Sequence, residues 1–268
     1  MIEKVRFQST VGPELAGVID LPEGEVRGWG LFVHGFTLGK DSPAASRVSK
    51  QLAREGIGML RYDNLGIGES DGDWGDGSFT IKVQDTLRAA ALMAERGTPV
   101  DLLVGHSWGG AAALAAAAEV TGVRALATIG APVDPSHVEH QYDTVMDRVL
   151  SEGAHEWFVG GRTLVLKRAF VEDVHRAQLR DGIGELNLPL LVLHSPADAT
   201  VDIANAGEIF REARHPRSFV ALEGADHLLT ARGQAQRAAH IISAWADQYV
   251  NASRPAGKGF HMVDSPAG

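Results

Sequence analysis

A serine flanked two residues away on each side by glycine stands in Gly105-His106-Ser107-Trp108-Gly109. The apolar run Val100-Asp101-Leu102-Leu103-Val104 precedes it, and an alanine-rich stretch from Trp108 to Glu119 follows. This order predicts strand, sharp turn and helix, the context of a nucleophile elbow. Such a turn lifts the hydroxyl above the sheet, and its glycines let strand and helix approach closely. The helix N-terminus adds free N–H groups and partial positive charge where negative charge develops in acyl transfer. A serine hydroxyl is a weak nucleophile at neutral pH, so it needs a base within hydrogen-bond reach and a third group to orient that base.

Both partners are on offer downstream. Asp198, in His194-Ser195-Pro196-Ala197-Asp198-Ala199-Thr200-Val201, and His227, in Gly224-Ala225-Asp226-His227, each follow a predicted strand. Strand ends at the carboxyl edge of a parallel sheet are where functional groups gather. Asp202 and Asp134 compete for the carboxylate, but Asp198 stands directly between a strand end and the next helix. His194 and His240 compete for the base. The first terminates a strand and the second lies within the last helix, so both are expected to be structural, as is His106 beneath the elbow. Asp226 is expected to cap its loop. His137 and His140 have helical spacing but lack a third ligand, so they are expected to be surface histidines of a cap, with no metal site. Gly66-Ile67-Gly68 lacks the third glycine and the helix of a dinucleotide fingerprint and reads as a turn, with no cofactor expected.

The elements that must position these groups alternate. Val5 and Phe7, then Leu15 to Leu21 across a Gly12-Pro13 turn, predict two antiparallel strands. Strands over 29–33, 57–62, 100–104, 123–129, 188–194 and 218–222 follow, with helices over 43–55, 80–96, 108–119, about 203–213 and 235–250. The prediction is therefore α/β: a mostly parallel sheet of eight strands with helices on both faces. Residues 133–187 hold 55 positions without a clear strand, longer than an ordinary loop, and are expected to form a small cap inserted after the sixth strand. The expected organisation is one domain over 1–250, with a C-terminal extension over 251–268 to which no chemistry is assigned.

The 268 residues carry 25 Lys plus Arg against 34 Asp plus Glu, a formal charge of −9, with no basic cluster. That balance disfavours a nucleic-acid partner. Cysteine is absent, which excludes disulfides, thiolate metal sites and cysteine nucleophiles. No apolar run is long enough for a membrane span, and the charged N-terminus does not suit a signal peptide, so a cytoplasmic protein, monomer or homodimer, is expected.

Elbow, carboxylate, histidine and their chain order resemble the α/β-hydrolase family, and the likeness runs through Val250. It implies Ser107 as nucleophile, His227 as general base and then acid, and Asp198 as orienting carboxylate. His34-Gly35-Phe36-Thr37 resembles the family's oxyanion loop, which implies that the backbone N–H groups of Phe36 and Trp108 hold the oxyanion. Residues Arg61 to Ser70 resemble the turn after the fourth strand. A closer likeness is to bacterial cinnamoyl and feruloyl esterase-like hydrolases, through His34 to Phe36 with Lys40-Asp41 and Gly224 to His227. The chain also resembles the hydrolase half of fusions to an OsmC-type peroxiredoxin domain, through Gly130 to Val138 and His215-Pro216. It departs from those fusions in stopping where the second domain would begin and in having no cysteine.

The expected activity is cleavage of small-molecule carboxylic esters through an acyl-enzyme. Thioester, lactone or C–C hydrolysis and perhydrolysis could use the same triad, and a non-catalytic binding protein could keep the same fold. Within the cap, Trp157, Phe158 and Phe170 are candidates to line a substrate pocket.

Overall fold

The computed structural model describes residues 1–250; the expected extension over 251–268 lies outside the described residues. The chain opens with an antiparallel pair, β1 (Ile2–Gln8) and β2 (Glu14–Asp20). Next come β3 (Gly28–Val33), α1 (Pro43–Arg54), β4 (Ile57–Tyr62), α2 (Phe79–Glu95), β5 (Leu102–His106), α3 (Trp108–Ala116) and β6 (Ala125–Ile129). After the segment 133–187 come β9 (Leu190–His194), α7 (Ala204–Glu212), β10 (Arg217–Ala221) and α8 (Gln234–Val250).

The eight-stranded sheet runs in the order β1-β2-β4-β3-β5-β6-β9-β10. Only β1–β2 and β2–β4 pair antiparallel; every other neighbour is parallel. β4, β5, β6 and β9 are buried at every residue because helices cover both faces of the sheet, whereas the edge strand β10 begins with Arg217 and Ser218 and is only partly buried. Successive side chains feed opposite cores: Leu31, Val33 and Leu103 join the core beneath α2 and α3, whereas Phe32, Leu102 and Val104 join the one beneath α1 and α8. This alternation is the period of two inherent in a strand.

Element types match expectation, with shifted ends. The strand before the elbow starts at Leu102 and extends through His106, because its ladder with β3 begins at the Gly30–Leu102 pair. The helix after it stops at Ala116.

The segment 133–187 contains more regular structure than expected. A 3-10 turn over Pro135–Gln141 leads to α4 (Asp143–Glu152), then to a hairpin of β7 (Ala154–Val159) and β8 (Arg162–Lys167), then to α5 (Arg168–Arg176) and α6 (Arg180–Ile183). The hairpin closes on Val159–Arg162 through Gly160 and Gly161, whose φ angles are +58° and +80°. Two consecutive positive φ values are what a tight two-residue turn requires, and only glycine adopts both without strain. The Gly-Gly pair between two short apolar runs was the available signal. No helix among the described residues is long and apolar enough to cross a membrane.

Candidate active site

Ser107 occupies the turn between β5 and α3 with φ 55° and ψ −133°. A positive φ at a non-glycine residue is unfavourable and persists only where its surroundings impose it. Here its amide donates to Ile129 O at 2.9 Å, tying the elbow to β6. The flanking glycines are sterically required: a Cβ on Gly105 would lie 2.5 Å from Gly110 Cα, and one on Gly109 would lie 2.2 Å from Val33 O.

His227 and Asp198 meet this serine. Ser107 Oγ lies 2.9 Å from His227 Nε2, and His227 Nδ1 lies 2.7 Å from Asp198 Oδ2. Since Nδ1–H donates to the carboxylate, Nε2 carries the free lone pair and can accept the serine proton. The other oxygen of Asp198 accepts the amides of Thr200 and Val201, each at 2.9 Å. Burial acts to raise the Asp198 pKa, but the His227 hydrogen bond and these amides outweigh it and hold the carboxyl below its usual range. It is therefore a fixed anion beside the imidazole.

The competing residues sit elsewhere. Asp202 accepts the amide of Ala204 at the start of α7, and Asp134 that of Ser136 in the 3-10 turn. His240 pairs with Glu55 on the surface of α8. Asp226 accepts the amides of Leu228 and Thr230, shaping the loop that carries His227.

The strand-end histidines act as braces. His106, fully buried, donates from Nε2 to His227 O at 2.7 Å. Burial, then the neighbouring His227, lowers its pKa to about 3, so it stays a neutral donor. His194 donates from Nε2 to Val201 O at 2.8 Å and so closes the loop bearing Asp198. Burial lowers its pKa as well. The loops that carry acid and base are each held by an uncharged imidazole below.

The loop after β3 places Phe36 beside the serine. Its amide and that of Trp108, the first residue of α3, donate to no group among the described residues. Two free backbone amides beside a serine hydroxyl are the donor chemistry that an oxyanion hole calls for. A buried ion pair anchors this loop: Asp63 accepts from Lys40 N and Lys40 Nζ, both at 2.7 Å, and from Glu69 N at 3.0 Å. Arg61 reaches the same loop, donating to Lys40 O and Asp41 Oδ1 at 2.7 Å and to Asp20 Oδ2 at 2.8 Å. Lys40-Asp41 and the charged residues of Arg61 to Ser70 entered the sequence analysis only through their resemblance to the family; their joining into one lattice of charges, with Asp20, depends on contacts between distant segments.

An open cleft of about 310 Å³ leads to Ser107 and His227, walled by Phe36, Leu38, Gln141, Thr200 and Leu228. Trp157, Phe158 and Phe170, expected to line a substrate pocket, are not among the residues that wall this cleft, although Phe170 borders a smaller hollow beside Trp108. Phe158 is 72% exposed on the outer face of the hairpin, while Trp157 and Phe170 are buried behind Phe36 in an aromatic cluster. Trp157 and Phe158 adjoin on one strand, so their side chains must point to opposite faces. His137 is not a free surface residue either; it is half-buried, and its Nε2 donates to Thr200 O at 2.9 Å, while His140 stands exposed at the mouth of the cleft.

Residues 31–159 match the alpha/beta hydrolase fold family. The chain is similar to the esterase domain of a Rhodothermus marinus protein, with 36% identity and a TM-score of 0.74 over 93% of this chain and 99% of that one. It shares its fold with Est1E of Butyrivibrio proteoclasticus, solved with ferulic acid, at 19% identity and TM-score 0.74 over 92% and 99% of the two chains. It does so also with the alpha/beta hydrolase GrgF of Penicillium sp. sh18, at 16% identity and TM-score 0.77 over 93% and 99%. No curated protein matches the chain. Sheet order, elbow and the extent of similarity to the Rhodothermus marinus domain together make this chain a member of the α/β-hydrolase family.

Proposed function

We propose that this hydrolase cleaves carboxylic esters through an acyl-enzyme on Ser107. The observation that carries the proposal is the unbroken line from Ser107 Oγ to His227 Nε2 at 2.9 Å and from His227 Nδ1 to Asp198 at 2.7 Å. The chain's similarity to the esterase domain of the Rhodothermus marinus protein supports the same reading.

His227 Nε2 takes the Ser107 proton as Oγ bonds to the ester carbonyl carbon. The resulting oxyanion is held by the Phe36 and Trp108 amides. As the tetrahedral centre collapses, the C–O bond to the alcohol breaks and the departing oxygen takes the proton from His227. Water then loses a proton to His227 and attacks the acyl-enzyme, releasing the acid and restoring Ser107. Asp198 stabilises the imidazolium present in both halves and keeps the ring in the tautomer that faces Ser107. Residues 133–187 act as the cap over this chemistry.

The test is labelling with a fluorophosphonate together with the burst of p-nitrophenol from p-nitrophenyl acetate. Covalent capture at Ser107, with label and burst both lost in a folded Ser107→Ala chain, is the expected result. A burst that survives this substitution removes Ser107 as nucleophile. A folded wild type that neither labels nor turns over any ester removes the enzymatic reading.

A further inference from the structure

The ring of Phe36, the residue whose amide faces the oxyanion, forms one wall of the cleft and is backed by aromatic side chains. Its centroid lies 5.1 Å from Trp108, 5.4 Å from Trp74, 5.7 Å from Phe170, 6.0 Å from Trp157 and 6.1 Å from Tyr142. All are buried, and the last three belong to the cap. A separate hollow of about 20 Å³, room for roughly one water molecule, lies beside Trp74, Trp108 and Phe170 and is not lined by Phe36.

The direction of the substrate follows from the chemistry proposed above, on which this inference rests. His227 must reach the leaving oxygen to protonate it, so the alcohol lies on the side of His227, Thr200 and Leu228. The carbonyl oxygen lies at the Phe36 and Trp108 amides. The acyl chain is left with the remaining side, where it meets Leu38 and the Phe36 ring.

We infer that Phe36, backed by Trp157 and Phe170 from the cap, plugs the acyl side of the cleft and restricts the enzyme to short acyl groups. Trp157 and Phe170 are then specificity-determining residues that never touch the reacting atoms. A longer chain goes deeper on that side only where these packed rings give way, which a close-packed interior resists, and otherwise must turn outward along the open cleft, away from the alignment that attack requires. The ring edges and faces meet in tilted, stacked and T-shaped pairs, so one displaced ring disturbs its neighbours.

The experiment is a series of p-nitrophenyl esters from acetate to decanoate with the wild type, Phe170→Ala and Phe170→Leu. For the wild type kcat/KM should be highest for acetate to butyrate and at least 100-fold lower for octanoate. Phe170→Ala should raise the octanoate-to-acetate ratio at least tenfold, and Phe170→Leu, which keeps more of the side chain, by less. A wild type that hydrolyses octanoate as fast as acetate overturns the plug while leaving the esterase reading intact. Folded variants with the wild-type profile also overturn it. The wild-type series needs no substitution and remains decisive where a variant does not fold. Absence of turnover of every ester, without fluorophosphonate capture, overturns the esterase reading and the plug with it.

Discussion

Two pieces of β structure in this chain obey different rules. In β5, β6 and β9, which lead to Ser107, Gly130 and Ser195, every residue is buried on both faces. In the β7–β8 hairpin only one face is buried: Trp157, Leu164 and Leu166 point inward, while Phe158, Thr163 and Val165 are exposed. A strand packed on both sides cannot slip by one residue without turning its core contacts over, so the atoms at its end are held in place. The hairpin is constrained on one face and free to vary on the other. The contrast separates a sheet edge that fixes chemistry from a cap that fills space.

The largest effect should come from the sheet edge. Asp198→Asn removes the anion that sets the His227 tautomer, and kcat should fall about 10⁴-fold with the fold intact. Steady-state kinetics beside an unchanged thermal melt would check this; a loss below tenfold would detach Asp198 from the triad.

Next is the ion pair that anchors the oxyanion loop. Asp63→Ala leaves the buried Lys40 ammonium to Glu69 and Asp41 alone and should cost about 3 kcal/mol in denaturant unfolding. Its kcat should fall as well, since the Phe36 amide is carried by the same loop.

Lys82, on α2, has its ammonium buried and donating to Asn64 Oδ1 at 2.9 Å. Burial lowers its pKa to about 7, partly opposed by the Asp85 charge. The unfolded chain keeps this lysine protonated up to about pH 10.4, so between about 7 and 10.4 the unfolded state binds more protons and stability rises with pH. The penalty for burying the charge is therefore complete below about pH 7 and fades above it. Lys82→Met should stabilise by roughly 1–3 kcal/mol at pH 6, with a smaller gain at pH 9.5. Melts at the two pH values decide it, and an equal gain at both would contradict the sign.

The smallest effect belongs to the outer face of the hairpin. Phe158→Ser should change stability by no more than about 0.5 kcal/mol. A large loss would mean that this face is covered in solution.

Much of the candidate site was legible because its demands are local. Gly105, Ser107 and Gly109 satisfy a steric requirement that spans five consecutive positions, and the strand before and helix after are periodic patterns. Asp198 and His227 could be placed at strand ends, but their choice over Asp202, Asp134, His194 and His240 rested on position alone. What separates them is distance across loops, and distance is not a property of neighbouring residues. The bracing roles of His106 and His194 depend on carbonyls of residues 227 and 201. The opposite placements of Trp157 and Phe158 were hidden for the same reason: without the hairpin's register, inward and outward aromatics on one strand look alike.

By itself the amino-acid order determined the layered α/β architecture, the elbow and the chain order of the reactive groups, because backbone sterics and hydrophobic period act over a few residues. Tertiary structure alone decided which carboxylate meets which imidazole, that Lys82 is buried, and that the rings of Tyr142, Trp157 and Phe170 pack against Phe36. Those outcomes depend on packing between segments far apart in the chain, where a side chain's surroundings, and with them its charge and reach, are set by partners it does not adjoin.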